Sequence, residues 1–554
     1  MSSPLLRRDR RELMLTGWLI GRPYLRRRRF QTRVGQANAD HIVDSCSRAT
    51  DIVDILQNAR LRWIRDRSKE ASAVHAYDRL YIGGAWVSGA SSDVIDVVSP
   101  HTEQVMGNAP FATAEDVDSA VMAARAAFDE GPWPRLAPHE RAEYLSALAR
   151  AYEPHVDEMA ALVTEEMGSP ISYSQFGQAL PGVMIINAGI KIARDYPWEE
   201  DRRGELADTV VRRTPVGVVA AIVPWNMPQL GALTKLVPAL LAGCPVVLKP
   251  AAETPIDALR LAEILDEVGL PPGVVNVVTG ARDTGEFLIR HPGVDKVSFT
   301  GSTDTGRRIA SACGEQLKRV SLELGGKSAA IVLDDADLHV MADGLRFASF
   351  ANNGQACVAQ TRILASRNNY EAVIDAVAAL AASLTVGDPT DPKTEVGPLV
   401  TRRQQQRVED YIAMGQQEGA RVVVGGKGMP KDLDVGWYVQ PTVFGEVDRG
   451  MRIAQEEIFG PVLAVIAYDD VDDAISIANN SRYGLAGTIW TNDTERGMDI
   501  ARRIRTGSVG INQYMPDFAA PLGGFKDSGI GREGGTEGID QYVELQSLLP
   551  GARI

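Results

Sequence analysis

Cys357 is the side chain of this sequence that is best suited to attack an electrophile. It closes the run Asn-Asn-Gly-Gln-Ala-Cys at 352–357, a small and polar lead-in. Small neighbours let a reactant approach the sulfur, and nearby backbone N–H groups can stabilise an anion formed during attack. An isolated cysteine is more often a packing residue than a nucleophile. The interpretation therefore depends on partners elsewhere in the chain.

Two further side chains could supply what a cysteine nucleophile needs. Glu323 stands between two leucines and before Gly325-Gly326, and burial there would raise the pKa of its carboxyl and suit it to act as a general base. Asn226 directly follows Pro224-Trp225, and its amide can donate to an oxygen that becomes anionic. Taken singly, an exposed strand-end acid and a turn-capping asparagine are the ordinary alternatives.

A third group of residues could bind a phosphate and a ribose. Lys249 ends a strand-like run, while Gly301, Ser302 and Gly306 follow another such run and open a helix. The free N–H groups and the positive dipole of a helix start suit a phosphate. The spacing is not G-x-G-x-x-G, so the usual Rossmann fingerprint is absent. A solvated lysine and an ordinary strand-to-helix turn would explain the same residues.

The hydrophobic pattern predicts the elements that position these side chains. Short β-branched runs alternate with helical stretches, which indicates βαβ units and a parallel sheet. Strands are predicted at 216–223, 245–248, 274–278 and 296–299, and helices at 230–241, 256–268 and 285–290. A side chain at the carboxyl end of a parallel strand points into the usual ligand crevice. A second alternating region runs from Leu324 to about Pro521.

The segment before this sheet also has readable elements. Residues 81–86 predict a strand, a turn and the start of a second strand. Alanine-rich helices are predicted at 113–129, with Thr113 as N-cap, and at 138–167, with an interruption at Pro154.

Length and composition restrict the class of protein. A chain of 554 residues is too long for one compact core, and 45% hydrophobic and 23% charged residues are ordinary for a globular protein. No uninterrupted apolar stretch approaches the roughly 20 residues of a membrane helix, so no membrane partner is expected. A net charge of -14 argues against general nucleic-acid binding. The cysteines Cys46, Cys244, Cys313 and Cys357 favour a reducing compartment, and the cytoplasm is expected.

The first 75 or so residues differ from the rest in their basic bias. Arginines stand at positions 7, 8, 10 and 11 and again at 26–29. An export signal with twin arginines and a mitochondrial presequence both fit poorly, since the apolar stretch is short and acids follow. A poorly ordered extension, or a start codon upstream of the one used, is the simpler interpretation.

Together these residues form an ordered series that resembles the aldehyde dehydrogenase superfamily. The resemblance covers roughly Tyr81 to the C-terminus and leaves out the basic extension. The matching segments are Pro224-Trp225-Asn226, Lys249-Pro250, Phe299-Thr300-Gly301-Ser302 with Gly306, Leu322-Glu323-Leu324-Gly325-Gly326-Lys327, Gly354-Gln355-Ala356-Cys357, Glu456-Glu457-Ile458-Phe459-Gly460-Pro461, and Gly523-Gly524-Phe525-Lys526 with Ser528-Gly529 and Gly531-Arg532-Glu533.

The resemblance implies oxidation of an aldehyde to a carboxylic acid with NAD(P)+. Cys357 would form a thioester, Asn226 and the Cys357 backbone N–H would hold the oxyanion, and Glu323 would activate the hydrolytic water. Lys235 and Glu533 match positions implied in proton relay, and no metal is implied. The residues implied to bind the cofactor are Trp225, Lys249, Gly301, Ser302, Gly306, Leu324, Glu457 and Phe459. Since a free thiol has a pKa of about 8.5, Cys357 would need a nearby base or a positive field.

Departures from the family pattern bear on cofactor and substrate. Many NAD-preferring members have an acid where this chain has Ala252, with Glu253 next to it. Such an acid would repel a 2′-phosphate, so NADP stays possible, although NAD is expected. The residues that would line the substrate tunnel are Gly231, Thr234, Met227, Phe518 and Leu522. Their sizes predict a medium-chain, branched or aromatic aldehyde.

The implied fold is α/β and has three parts. They are a Rossmann-like cofactor domain (76–193 and 215–324), an α/β catalytic domain (325–538) and a small β oligomerisation flap (194–214 and 539–554), which follow the basic extension (1–75). The flap implies a homodimer or homotetramer. Two rival functions stay open: an acylating dehydrogenase that transfers the thioester to coenzyme A, against which Glu323 argues, and a non-catalytic relative, which would be expected to lack Cys357.

Overall fold

The computed structural model describes residues 75–550, and every structural statement below concerns that part of the chain. The basic extension, with Cys46, and the last four residues lie outside the described residues.

The strands are numbered in chain order. They are β1 (His75–Ala76), β2 (Arg79–Ile82), β3 (Ala85–Ser88), β4 (Val94–Val98), β5 (Val105–Pro110), β6 (Glu199–Arg203), β7 (Asp208–Pro215), β8 (Val219–Ile222), β9 (Val246–Lys249), β10 (Val275–Val277), β11 (Lys296–Thr300), β12 (Arg319–Glu323), β13 (Ser328–Val332), β14 (Gln360–Ser366), β15 (Arg421–Val424), β16 (Thr442–Gly445), β17 (Val462–Tyr468), β18 (Gly487–Trp490), β19 (Gly510–Ile511), β20 (Gly529–Ile530) and β21 (Val543–Leu548).

The helices are numbered in the same way. They are α1 (Ala114–Asp129), α2 (Pro138–Tyr152), α3 (Val156–Met167), α4 (Ile171–Asp195, with a π-helical turn at Ser174–Ala179), α5 (Pro228–Ala242), α6 (Ile256–Val268), α7 (Arg282–Arg290), α8 (Thr303–Glu315), α9 (Leu338–Phe350), α10 (Tyr370–Ser383), α11 (Arg402–Gln417), α12 (Arg452–Gln455), α13 (Val471–Asn479), α14 (Thr494–Ala501) and α15 (Gly535–Asp540). Short 3-10 turns lie at Trp133–Arg135, Glu153–His155, Ala351–Gly354 and Lys526–Ser528.

An eight-stranded sheet holds the first group of candidate site residues. Its order is β20-β12-β11-β8-β9-β10-β2-β3, and β12, β11, β8, β9 and β10 are parallel. From β8 the chain runs outward through β9 and β10, and then returns to the other side of β8 through β11 and β12. The strand order therefore reverses between β8 and β11, where open α/β sheets bind their ligands.

A seven-stranded sheet carries the second region. Its order is β15-β16-β17-β14-β13-β18-β19, and every neighbouring pair except β15 with β16 is parallel. Leu364 and Ile466 pack into the apolar cluster on one face, whereas Ile363 and Val465 pack into the cluster on the other. Burial on both faces is the usual state of a parallel sheet covered by helices.

Two small sheets complete the fold. One has the order β1-β5-β4, and the other has the order β21-β7-β6. β21 pairs antiparallel with β7 from Val543 opposite Pro215 to Leu548 opposite Val210. The segment expected to form the flap, 194–214, begins with Arg194 and Asp195, which still belong to α4.

Several helix boundaries follow from local chemistry. Thr113 caps α1 in a capping box with Asp116, and Pro154 lies in the 3-10 turn that separates α2 from α3. α5 begins two residues before its predicted start because Pro228 suits the first turn of a helix.

One helix of residues 75–550, Ile171–Asp195, is long and apolar enough to cross a membrane by length and composition alone. It packs against α2 and α5 within the fold.

Candidate active site

The parallel strands of the larger sheet end at one common edge. Ile222 at the end of β8 pairs with Lys249 on β9 and with Phe299 on β11. Thr300 at the end of β11 pairs in turn with Glu323 on β12. The segments that follow these strands therefore leave the sheet side by side, and they carry Asn226, Ser302 and Leu324.

The loop before Cys357 has an uncommon backbone. Asn352, Asn353 and Gly354 have φ values of 56°, 61° and 70°, so three consecutive residues are left-handed. This conformation costs an ordinary residue about 1–2 kcal/mol, and asparagine is one of the few non-glycine residues that adopts it routinely. At Gly354 a Cβ atom would lie 2.4 Å from the carbonyl carbon of Gly460. Only glycine fits there.

Side-chain hydrogen bonds hold this loop in place. The Nδ2 atom of Asn353 donates to the carbonyl oxygens of Gly168 and Pro398, at 2.9 and 2.8 Å, and its Oδ1 atom accepts from the backbone N–H of Gly397 at 2.6 Å. The Oε1 atom of Gln355 accepts from the backbone N–H of Val400 at 3.1 Å. Segments distant in sequence thus fix the backbone that leads to the thiol.

Asn226 contacts this loop directly. Its buried Nδ2 atom donates to the carbonyl oxygen of Gln355 at 2.9 Å, and the Nδ2 atom of Asn352 donates to the Asn226 carbonyl oxygen at 2.7 Å. A primary amide has two N–H donors, so within residues 75–550 one N–H of Asn226 is left for a ligand. On the other side, a Cβ atom at Gly326 would lie 2.3 Å from the carbonyl oxygen of Cys357.

The three cysteines of residues 75–550 differ in accessibility. Cys244 and Cys313 are buried, whereas the Cys357 side chain keeps a partial opening to solvent. Enough protein still surrounds the Cys357 sulfur that burial, together with the nearby carboxylates of Glu457 and Glu323, raises the pKa of the thiol to about 12. Of the two aids expected for this thiol, a nearby base or a positive field, the charged groups that act on Cys357 are carboxylates, which can serve as a base but supply no positive field.

Glu323 is a partly exposed acid with free lone pairs. Its carboxylate accepts no hydrogen bond from any residue in the described range. Gly523 makes room for it, since a Cβ atom there would lie 2.5 Å from Oε1 of Glu323. Burial, reinforced by the charge of Glu533, raises the pKa of the Glu323 carboxyl well above its ordinary value. A carboxylate whose pKa is raised is a stronger base, which suits it to take a proton from water.

A buried ion pair lies beside this acid. Lys235 is fully buried, its ammonium contacts Oε1 of Glu533, and it donates to Oγ1 of Thr300 at 2.7 Å. Thr300 is the strand neighbour of Glu323. The fold thus brings Lys235 and Glu533 to the predicted general base, as the sequence matches suggest.

Two aromatic rings form one wall of the crevice. The rings of Trp225 and Phe459 meet edge to face, with centroids 5.4 Å apart. Close by, the Oε1 atom of Glu457 accepts from the backbone N–H of Gly326 at 2.9 Å. A Cβ atom at Gly325 would lie 2.4 Å from Oε2 of Glu457. The glycine pair after Glu323 therefore gives Glu457 access to the loop.

Lys249 is the last residue of β9, three strands along the sheet from Glu323. Its ammonium donates to the carbonyl oxygens of Pro250 and Gly280, at 2.9 and 2.6 Å. Burial lowers the pKa of Lys249 to about 8, while the charge of Glu253 acts in the other direction. The lysine is thus a buried donor rather than a solvated strand-end cation.

The start of α8 completes the crevice. The Oγ atom of Ser302 accepts from the backbone N–H of Thr305 and caps the helix, and the backbone N–H of Gly301 donates to the carbonyl oxygen of Glu323 at 3.0 Å. A Cβ atom at Gly306 would lie 2.5 Å from Cδ2 of Leu324. Leu324 therefore packs beneath the first turn of α8.

Sequence reasoning gave no role to several residues that shape this region. Gln355, Gly326 and Gly523 appeared only within the matching segments, and Tyr173 and Tyr514 were not singled out. Only the Gly-Gly pairs beside the motifs could have pointed to close backbone approach. Residues 75–550 contain no group of three or more His, Cys, Asp or Glu side chains that could hold a metal ion.

Comparison with known proteins decides the family. The model of the aldehyde dehydrogenase family matches residues 86–548. The chain belongs to the aldehyde dehydrogenase family. Its resemblance to that superfamily, its α/β fold and its activity as an enzyme that oxidises aldehydes are thereby confirmed. The individual site residues stay predictions.

Three relatives illustrate the match to this family. A geranial dehydrogenase of Castellaniella defragrans is 46% identical over 473 residues, which are 85% of this chain and 98% of that protein. An aldehyde dehydrogenase of Mycobacterium tuberculosis in complex with NAD+ is 49% identical, with a TM-score of 0.85 over 86% of this chain and 99% of that one. A mutant aldehyde dehydrogenase C of Pseudomonas syringae, in complex with NAD+ and octanal, is 38% identical, with a TM-score of 0.84 over 88% of this chain and 100% of that one.

Proposed function

We propose that this enzyme oxidises a medium-sized apolar or aromatic aldehyde to its acid, with NAD+, through a thioester on Cys357. The observation that carries the proposal is the hydrogen bond of 2.9 Å from the Asn226 amide to the carbonyl oxygen of Gln355, two residues before the thiol. It joins the segment after β8 to the loop 352–357, here called the nucleophile loop, at the point where the strand order reverses.

The first step would be attack of the Cys357 sulfur on the aldehyde carbon. The aldehyde oxygen becomes anionic as the carbon–sulfur bond forms, and the remaining N–H of Asn226 and the backbone N–H of Cys357 are its predicted donors. Each such donor contributes roughly 10²–10³-fold to the rate of acyl transfer in enzymes. Because the left-handed loop is held by three bonds of Asn353, its geometry needs little reorganisation when the charge develops.

Hydrolysis of the thioester would depend on Glu323. Its lone pairs are free of hydrogen bonds within the described range, and burial raises the pKa of its carboxyl. The ionised carboxylate can therefore remove a proton from water as the water attacks the thioester carbon, which releases the acid and the thiol. The adjacent Lys235 and Glu533 pair offers the proton a path away from Glu323.

The crevice has the donors that a dinucleotide needs. The glycines at 306 and 325 let Leu324 and Glu457 pack closely against the backbone that borders it. Lys249 and Glu457 would hold the two riboses, the start of α8 with Gly301 and Ser302 would face the pyrophosphate, and Trp225 and Phe459 would flank the nicotinamide. When bound, NAD+ supplies the acceptor for the hydride of the aldehyde.

NAD+ is the proposed cofactor rather than NADP+. Two structures to which this chain is similar hold NAD+. Ala252 supplies no acid to repel a 2′-phosphate, but the carboxylate of Glu253 is next to it and close enough to Lys249 to affect its pKa. Arg403 approaches that carboxylate at 3.8 Å, so its repulsion of a phosphate is reduced. We therefore expect a preference for NAD+, with measurable use of NADP+.

The substrate proposal rests on the lining and on relatives. A Cβ atom at Gly231 would meet only ordinary contacts, of 3.5 Å or more, with Pro224 and Val223, so this position leaves space. One relative is a geranial dehydrogenase, and another was solved with octanal. These are aldehydes with apolar tails, which supports a tunnel of similar width.

Assembly and location belong to the same proposal. The strand β21 exposes Leu545 on one face of the sheet β21-β7-β6 and Leu548 on the other, and we assign this strand to the interface of a homodimer or homotetramer. The two buried thiols, Cys244 and Cys313, are free, which suits the cytoplasm.

An aldehyde panel measured in parallel with NAD+ and NADP+ tests the proposal. We expect the highest kcat/KM for medium-chain, branched or arylalkyl aldehydes, a higher value with NAD+, and free acid as the product. Highest kcat/KM for acetaldehyde or for a charged semialdehyde would contradict the substrate class. An acyl-CoA product in the presence of coenzyme A would favour the acylating rival.

A further inference from the structure

Tyr173 lies where α4 passes the nucleophile loop. It directly precedes the π-helical turn at Ser174–Ala179. Its ring lies across the helix over Gly177, where a Cβ atom would be 2.6 Å from the phenolic Cζ atom. In the same turn, Nε2 of Gln178 approaches Oδ1 of Asn352 at 3.5 Å. The ring thus occupies a space that any residue other than glycine at 177 would take.

Two phenylalanines hold this ring. The Tyr173 and Phe347 ring centroids are 5.9 Å apart, and those of Phe176 and Phe347 are 6.4 Å apart. Phe347 belongs to α9, whose last residue, Phe350, leads straight into the loop that carries Cys357. The aromatic cluster of Tyr173, Phe176 and Phe347 is therefore fixed to the element that positions the thiol.

The Tyr173 hydroxyl differs from that of a second tyrosine near the thiol. Tyr514 shares a hydrogen bond of 2.9 Å with Oγ of Ser508. Tyr173 is a partly exposed residue, and its hydroxyl makes no hydrogen bond with any residue in the described range. Burial raises the pKa of both phenols, and the charge of Cys357 adds to the effect in each case. Both phenols therefore stay protonated, and within residues 75–550 the Tyr173 hydroxyl, unlike that of Tyr514, has no hydrogen-bond partner.

We propose that the Tyr173 hydroxyl determines substrate specificity by donating a hydrogen bond to a neutral oxygen in the tail of the aldehyde. This inference rests on the proposed function and narrows its substrate class to aldehydes with an ether, hydroxyl or keto oxygen beyond the reacting carbon. A carboxylate in the tail is disfavoured because Glu323, Glu457 and Glu533 already make the region negative. Lys235, a cation that acts on Glu323, is paired with Glu533.

Matched aldehydes and a phenylalanine variant test this role. Methoxy-substituted and ethyl-substituted phenylacetaldehydes have nearly the same shape, and only the methoxy compound accepts a hydrogen bond. We measure kcat/KM for the meta and para members of each pair with the native enzyme, Tyr173→Phe and Tyr144→Phe. Tyr144, which lies in α2, packs on Trp133 in the preceding 3-10 turn and serves as the control.

The expected result is a shift in the methoxy-to-ethyl ratio of kcat/KM. For at least one ring position this ratio falls about two- to tenfold in Tyr173→Phe, which is the range for one neutral hydrogen bond. The change appears mainly in KM, because the contact exists before and during reaction. Tyr144→Phe keeps the native ratio.

Two results would overturn the inference. One is an equal methoxy-to-ethyl ratio in the native enzyme and Tyr173→Phe at both positions. The other is a native enzyme with no preference for either methoxy compound over its ethyl partner, which needs no variant at all. Failure of the proposed function looks different, because none of the aldehydes would then be oxidised.

Discussion

Two glutamates of this enzyme, Glu166 and Glu323, are both enclosed by protein, but only the carboxylate of Glu166 accepts hydrogen bonds from other described residues. Burial raises the pKa of both carboxyls. Glu166 is 1% exposed, and its two oxygens accept from the backbone N–H groups of Ile256 and Asp257, at 2.7 and 3.1 Å. Glu323 accepts no hydrogen bond within residues 75–550 and faces the space left by Gly523.

The difference shows what makes a buried acid reactive. A raised pKa alone is compatible with a purely structural role, as at Glu166, whose carboxylate satisfies the orphan N–H groups at the start of α6. Glu323 combines the raised pKa with free lone pairs and access. The cysteines follow the same rule, because Cys244 lies buried against the carbonyl of Tyr542 at 3.3 Å, whereas Cys357 is partly open.

The largest effect on activity is expected from removing the Cys357 thiol, compared with removing a buried thiol. Cys357→Ala removes the atom that forms the thioester, so we expect kcat/KM for any aldehyde to fall by at least about 10³-fold. Cys313→Ala, which changes a buried thiol in α8, is the control and keeps its turnover. Initial rates of NADH formation measure both. Undiminished oxidation by Cys357→Ala would remove Cys357 from the mechanism.

The variants Glu323→Gln and Glu166→Gln test whether the two glutamates differ in function. Glu323→Gln cannot accept a proton from water, so hydrolysis slows and kcat falls by roughly 10²–10⁴-fold. The thioester should then accumulate, which stopped-flow detects as a burst of NADH and mass spectrometry as an acylated Cys357. Glu166→Gln is expected to turn over without a burst. Equal loss of kcat in the two variants would mean that Glu323 has no special role.

The pH dependence of activity gives a smaller effect. Burial raises the pKa of Cys357 to about 12 and also raises that of Glu323, and the ionised form of each group is the reactive one. We therefore expect kcat/KM to rise with pH, by up to about tenfold per unit while one group titrates. A flat or falling profile between about pH 6 and 8.5 would contradict this assignment.

The smallest expected effect is a pH dependence of stability that arises from the buried pair Asp257 and Glu166. Burial raises the pKa of Asp257, the neighbour of Glu166, to about 7, above the ordinary value of about 3.9. Between about pH 4 and 7 the folded protein holds a proton that the unfolded chain has lost, so the free energy of unfolding falls as the pH rises. The loss is at most about 1.4 kcal/mol per pH unit for one proton.

Thermal midpoints across this pH range measure the loss. The native enzyme is expected to lose more stability than Asp257→Asn as the pH rises through the window. Asp283→Asn, at an exposed position of α7, should follow the native curve. Parallel curves for the native enzyme and Asp257→Asn would show that the pair does not titrate in this range.

Sequence reasoning was most successful where local chemistry decides the structure. The helix Ile256–Val268 has the predicted bounds, because its apolar period ends at Gly269, which adopts the left-handed conformation with φ of 71°. Asn226 was predicted beside a crevice because it follows a parallel strand, and the fold places it at the strand edge where Glu323 also lies. Their chemical types suggested candidate roles, and the family resemblance chose between these roles and the ordinary alternatives.

Features imposed by tertiary contacts could not be predicted. The π-helical turn at Ser174–Ala179 leaves no mark in the hydrophobic period, and the left-handed backbone at Asn352 and Asn353 is set by bonds to segments distant in sequence. Glu166 and Asp257 are 91 positions apart, so nothing local reveals that they meet. The negative surroundings of Cys357 escaped notice for the same reason.

The left-handed loop also bears on the order in which the enzyme folds. Asn353 bonds to Gly168, 185 positions earlier, and to Pro398, 45 positions later. Closing such long loops has an entropic cost that must be met before the contacts form. A backbone disfavoured in the isolated chain cannot persist until both segments have docked. During refolding, catalytic competence should therefore appear after the bulk of the helical signal, so partly assembled chains present no ordered thiol to passing aldehydes.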